Sequence, residues 1–126
     1  MSGPIVYCVQ KSFRLDDQTN EMVPRFDLSA AERYGELRYL LGPSAGPQNI
    51  GDPVHLDEVK RKLADFRPER DYILLLGNPV LIGVVSAVAS RASGTGTIQF
   101  LQWSRRYSEY TPIVVRGLLL PPQDEV

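Results

Sequence analysis

Residues 71–93, DYILLLGNPVLIGVVSAVASRAS, constrain the fold more than any other stretch of the chain. Ile73, Leu74, Leu75 and Leu76 form a short unbroken apolar run, the pattern of a strand covered on both faces in a parallel sheet flanked by helices. Asn78 is a favoured helix N-cap, and Pro79 then falls at the first helical position, where its missing N–H costs nothing. From Val80 to Ala92 the only strongly polar side chain is Arg91. Such a segment is too short and too interrupted to span a bilayer, which takes about 20 apolar residues. A helix apolar on nearly every side must be buried on more than one. In a small domain that means the sheet on one side and, on the other, a second subunit.

The flanking segments supply the rest of the sheet. Residues 5–10 (IVYCVQ) read as a first strand. A polar stretch with turn residues Asp17, Asn20 and Pro24 follows, a loop or a two-stranded excursion through residues 13–15 and 22–26. Asp27, Leu28 and Ser29 lead into a helical turn over 30–34, stopped by Gly35. Residues 36–41 (ELRYLL) read as a second strand. The Gly- and Pro-rich stretch 42–53 is a loop, long enough for a compact domain to be mobile or functional. Residues 54–66 carry Leu56, Val59, Leu63 and Phe66 at helical spacing, a surface helix with one core stripe. After the apolar helix, Gly94-Thr95-Gly96 is an exit turn. Residues 97–103 and 110–116 read as two strands joined by SRRYSE. Leu118, Leu119 and Leu120 pack on the domain or on a partner, within a flexible tail over 117–126.

Helices that join consecutive strands favour parallel pairing with right-handed crossovers. The expectation is a single α/β domain over 1–126. It holds a small, mostly parallel sheet, two main helices and a C-terminal antiparallel hairpin, a Rossmann-like half.

The chain carries 14 basic and 15 acidic residues. That near-neutral balance excludes a strongly basic, charge-driven nucleic-acid binder. Cys8, the one cysteine, can form no intramolecular disulfide, and the apolar stretch over residues 5–9 is too short and lacks the basic lead-in of a signal peptide; a cytoplasmic protein without membrane attachment is expected.

No catalytic constellation appears. Cys8 lies inside a strand without a base beside it, the usual setting of an inert core thiol. His55 is the only histidine, and with Asp52, Asp57 and Glu58 nearby it still lacks the converging ligands a metal needs. Asp16, Asp17 and Glu21 have the oxygens for a hard cation but the setting of a solvated turn. The serines show no nucleophile-elbow spacing. No metal and no cofactor is expected.

Two stretches stand out. The turn Gly77-Asn78-Pro79-Val80 sits where open α/β sheets gather ligands, at a strand's carboxyl end and a helix N-terminus. Gly77, Asn78 and Val80 are therefore candidates for a phosphate or nucleotide site, although no glycine-rich loop or P-loop lysine accompanies them. The stretch 103–110 places Arg105 and Arg106 between Trp103, Tyr107 and Tyr110, the residue types that dominate protein-binding hot spots and cation–π contacts. Arg33, Arg38 and Tyr39 are possible neighbours if the second strand lies near. The bland alternative is an edge hairpin whose charges prevent strand-to-strand aggregation. A protein partner is preferred over a nucleotide, and nucleic acid is disfavoured because the cluster is small.

Three segments, FDLSAAERYGELRYLL, DYILLLGNPVLIGVVSAVASR and IQFLQWSRRYSEYTPI, resemble a group of uncharacterised small α/β proteins encoded by bacteriophages and prophages. The likeness covers most of the chain. Similar sequences often carry Asp after the turn glycine and after the tryptophan; here those places hold Asn78 and Ser104. Both differences remove a carboxylate and count against metal-assisted chemistry. The resemblance implies a phage accessory protein, with no activity to carry over. The expectation is a non-enzymatic homodimeric interaction module, acting on host or phage machinery.

Overall fold

The computed structural model describes residues 3–11, 13–24 and 27–121. It contains strands β1 (Ile5–Gln10), β2 (Phe13–Leu15), β3 (Met22–Pro24), β4 (Glu36–Leu41), β5 (Tyr72–Leu74), β6 (Ile98–Ser104) and β7 (Glu109–Val115). The helices are α1 (Pro53–Lys62) and α2 (Pro79–Ser93), with a 3-10 turn over Ser29–Tyr34. The expected fold class holds: a five-stranded sheet in the order β4-β1-β5-β6-β7, parallel except for the β6–β7 hairpin. The excursion after β1 is the small antiparallel pair β2–β3, turned by Asn20 at φ 58. The end of the expected excursion, residues 25–26, lies outside the described residues, as does the end of the expected tail, residues 122–126.

The order in which strands are laid down decides which face each connection covers. The chain steps from β1 outward to β4, then returns past β1 to β5 and continues to β6. Right-handed crossovers in opposite directions place their connections on opposite faces. Val59 and Leu63 of the α1 segment and Leu81, Val85 and Ala89 of α2 accordingly share one core with Ile5, Tyr7, Val9, Ile73 and Ile98. Ala31 of the 3-10 turn and Leu28 just before it cover Val6, Cys8, Leu74, Leu101 and Tyr110 on the other face. Alternation along β1 feeds both cores, which is why all five of Ile5, Val6, Tyr7, Cys8 and Val9 are buried.

A buried carboxylate ties the amino ends of β1 and β5 together. Asp71, with no exposed surface, accepts from Ile5 N (3.0 Å) and Arg67 N (2.9 Å) and holds the Arg70 guanidinium at 2.8 and 3.1 Å.

Three expectations need correction. β5 ends at Leu74: Leu75 still donates to Leu101 O, but Leu76 N turns back to Leu74 O. α1 ends at Lys62, and Phe66 reaches the core from a following turn in which its N–H bonds Leu63 O. Within the single chain α2 is covered along one side, and Val80, Gly83 and Ala87 face outward on the side expected to meet a second subunit. The loop after β4 is pinned, since Gln10 Nε2 donates to Gly42 O and Ala45 O while Ala45 and Ile50 enter the core. At the far end of the chain, Leu118 N donates to Gly96 O, so the segment after β7 docks beside the end of α2.

Candidate functional site

β6 runs parallel to β5, so the β6–β7 turn and the 77–80 turn both lie at the carboxyl edge of the sheet. The hairpin is built by register. Trp103 pairs with Tyr110 and Ser104 with Glu109, leaving Arg105, Arg106, Tyr107 and Ser108 as the turn. Ser108 takes φ 49, and Ser104 Oγ accepts from Tyr107 N at 3.3 Å.

Trp103 and Tyr110 share the face covered by the 3-10 turn. Their rings meet edge-on at 5.0 Å, with Tyr110 buried and Trp103 47% exposed. Tyr34 Oη donates to Tyr110 O at 2.8 Å, and Arg33 reaches Glu109 at 4.0 Å. The base of the hairpin is thus fixed to the body. Beyond it Arg105 and Arg106 are exposed, Tyr107 is 62% exposed, and the Arg106 guanidinium lies 5.4 Å from the Tyr107 ring centre. Of the five hairpin residues singled out from sequence, Tyr110 is the foundation and the other four form the surface.

Of the three suggested neighbours, only Arg33 is one. β4 is the opposite edge strand, so Arg38 and Tyr39 stand across the sheet from the hairpin. Arg38 pairs with Glu36 instead, and Lys11 Nζ lies over the Tyr39 ring. Sequence reasoning missed Tyr34, whose bond to Tyr110 spans 76 positions. Only its place next to Arg33 in a predicted helical turn marked it.

The other candidate turn lies where the direction of chain travel across the sheet reverses, between β1 and β5. Gly77 takes φ 134, and a Cβ placed there would lie in ordinary contact with Val9 and Gln10. Asn78 caps α2 by accepting from Val80 N at 2.8 Å, and Ile82 N bonds Asn78 O. With Pro79 lacking an N–H, the first turn of α2 keeps at most one donor, that of Leu81, for an anion.

Among the described residues no group of three or more His, Cys, Asp or Glu is placed to hold a metal ion. Cys8 is buried and its thiol is pushed up to about 11 by desolvation, so it stays protonated and unreactive at neutral pH. His55 sits in the first turn of α1. Among the described residues no helix is long and apolar enough to cross a membrane.

Against known proteins, residues 4–117 match the family model described as Phage Pam3 gp32-like protein. The resemblance to small phage-encoded proteins, drawn from the three sequence segments, is borne out by that match. No curated protein and no solved structure matches the chain.

Proposed function

This chain belongs to the Phage Pam3 gp32-like protein family, and on that premise we propose that it is a phage accessory protein that binds a protein partner through the tip of the β6–β7 hairpin, without catalysis. One observation carries the reading. Trp103 and Tyr107 expose large aromatic surface beside two arginines, on a turn whose base is locked by Tyr110 and Tyr34. Aromatic and arginine anchors on a rigid support lose little freedom on binding, and such residues carry most of the energy at protein interfaces. The test is capture of the partner from phage-infected cells by wild-type protein and by the Trp103→Ala and Arg105→Ala variants. Capture is expected to fail in both variants while their melting temperatures stay within a few degrees of wild type. Undiminished capture by folded variants overturns the proposal.

A second reading has its own observation. The 77–80 turn occupies the reversal point between β1 and β5, the position at which open α/β sheets bind nucleotides. The depleted donors at Pro79 and Val80 weigh against it. If a nucleotide or phosphate binds there, millimolar ligand raises the melting temperature by mass action and a bulky residue at Gly77 removes the effect; a flat response ends this reading. The outward side of α2, with Val80, Gly83 and Ala87, supports a homodimer. A monomer mass by light scattering, unchanged on replacing Val80 with Glu, overturns that.

A further inference from the structure

Both outer strands of the sheet carry features that oppose an added strand. On β6, Leu101 turns its carbonyl toward β5, where it accepts from Leu75 N. Its partner Pro112 therefore occupies a non-hydrogen-bonded pair, and so does Tyr110, two residues away. The main-chain groups of Tyr110 and Pro112 point to the open side of β7. There Pro112 offers no N–H, and the Tyr110 carbonyl is already bonded by Tyr34. On β4, Lys62 Nζ donates to the carbonyls of Tyr39 (3.1 Å) and Leu40 (3.3 Å) and is held by Glu58 at 2.7 Å. Edges treated this way resist strand addition.

At the hairpin tip the side chains are cationic. Among the described residues neither Arg105 nor Arg106 forms an ion pair, and the neighbouring carboxylate, Glu109, already faces Arg33. The tip carries two uncompensated positive charges on a chain whose net charge is −1. Guanidinium groups recognise carboxylates through paired, charge-assisted hydrogen bonds, and the flanking rings of Trp103 and Tyr107 suit apolar side chains. Resting on the hairpin reading above, we propose that the partner is an acidic protein segment with interspersed apolar residues. Its carboxylates engage Arg105 and Arg106, its apolar side chains cover Trp103 and Tyr107, and it does not extend the sheet.

Trp103 is the only tryptophan, so its emission reports occupancy of the tip directly. The probes are a short Trp-free peptide of alternating Asp and Leu, the same peptide with Lys in place of Asp, and oligothymidylate. The acidic peptide is expected to shift Trp103 emission saturably, with affinity falling roughly tenfold for each of Arg105→Glu and Arg106→Glu and falling again as salt is raised. The lysine peptide is expected to leave emission unchanged. An equal response to both peptides, a response to oligothymidylate in preference to the acidic peptide, or no response to any probe overturns the acidic partner. The partner-capture experiment separates the two readings. If capture still depends on Trp103 while the acidic peptide fails, the hairpin interface stands and only the acidic chemistry falls. If capture is independent of Trp103, both fall.

Discussion

Tyr34 Oη and the carbonyl of Tyr110 are joined by a 2.8 Å hydrogen bond across 76 residues of sequence. The bond fastens the 3-10 turn to the hairpin and satisfies an edge carbonyl that the β6–β7 ladder leaves over. Tyr34 also meets Tyr72 edge-on at 5.4 Å, so its ring is held independently of its hydroxyl. Removing the hydroxyl alone therefore isolates the bond. Tyr34→Phe is expected to lower unfolding stability by about 1 kcal/mol in a denaturant titration. It is also expected to increase concentration-dependent self-association, because a carbonyl on the β7 edge is freed.

Asp71 is a stronger dependency. Its carboxylate satisfies two main-chain N–H groups and one guanidinium at the junction of β1 and β5. Asp71→Ala removes the acceptor of the Ile5 and Arg67 N–H groups and the carboxylate that Arg70 pairs with. The Ile5 N–H is buried and loses its acceptor at a cost of about 1–3 kcal/mol; Arg67 is exposed, so its N–H costs less. The variant is expected to lose about 3 kcal/mol or more by denaturant unfolding, a large part of the stability of a domain this size.

The pH dependence at the alkaline end follows from burial. Desolvation pushes the Cys8 thiol up to about 11, and it also raises the Tyr7, Tyr39 and Tyr110 hydroxyls above their ordinary value. For Tyr7, nearby Asp71 adds to the shift. Each group is held neutral more firmly in the folded chain than in the unfolded one. Their contribution is therefore complete below the unfolded values and is lost as pH rises through the folded ones. Stability is expected to decline from about pH 9 upward, beginning with Cys8. In the same protein at pH 8, a thiol reagent is expected to label Cys8 only as fast as the chain unfolds. Rapid stoichiometric labelling of the native protein would show that the thiol is accessible after all.

What the sequence disclosed and what it withheld divide along local and long-range interactions. The 71–93 unit was legible because its signals are short-range: an apolar run, an N-cap one residue before a proline, and a helix closed by Gly94 in the left-handed conformation. The hairpin was legible for the same reason. The end of α1 was not, because Leu63 and Phe66 keep helical spacing whether the chain remains helical or leaves the helix and folds back under it. Arg38 and Tyr39 were grouped with the hairpin because strand order is a global property. Nothing near β4 encodes that it forms the far edge. The role of Asp71 was hidden by its position as one charge among several at the start of a strand. Its acceptors' partners are Ile5, 66 positions away, and a helix-exit turn.

Two glycines give opposite expectations for the same substitution. Gly96 lies at φ +72, and a Cβ there would come within 2.6 Å of Leu119 N and 3.0 Å of Leu118 N. Both atoms are main chain, so the docked segment after β7 must move away. Left-handed backbone alone costs a side-chain-bearing residue about 1–2 kcal/mol. Gly96→Ala is expected to destabilise by more than that and to speed hydrogen exchange at Leu118, whose N–H bonds Gly96 O. Gly83 lies inside α2 with ordinary helical backbone, and a Cβ there meets nothing within 4 Å. Gly83→Ala is expected to stabilise the monomer by up to about 1 kcal/mol through helix propensity. The same variant bears on the proposed homodimer. If a second copy packs closely against the outward side of α2, the added methyl weakens association and the stabilisation disappears at high protein concentration. If the gain is the same at every concentration, that side of α2 is not an interface.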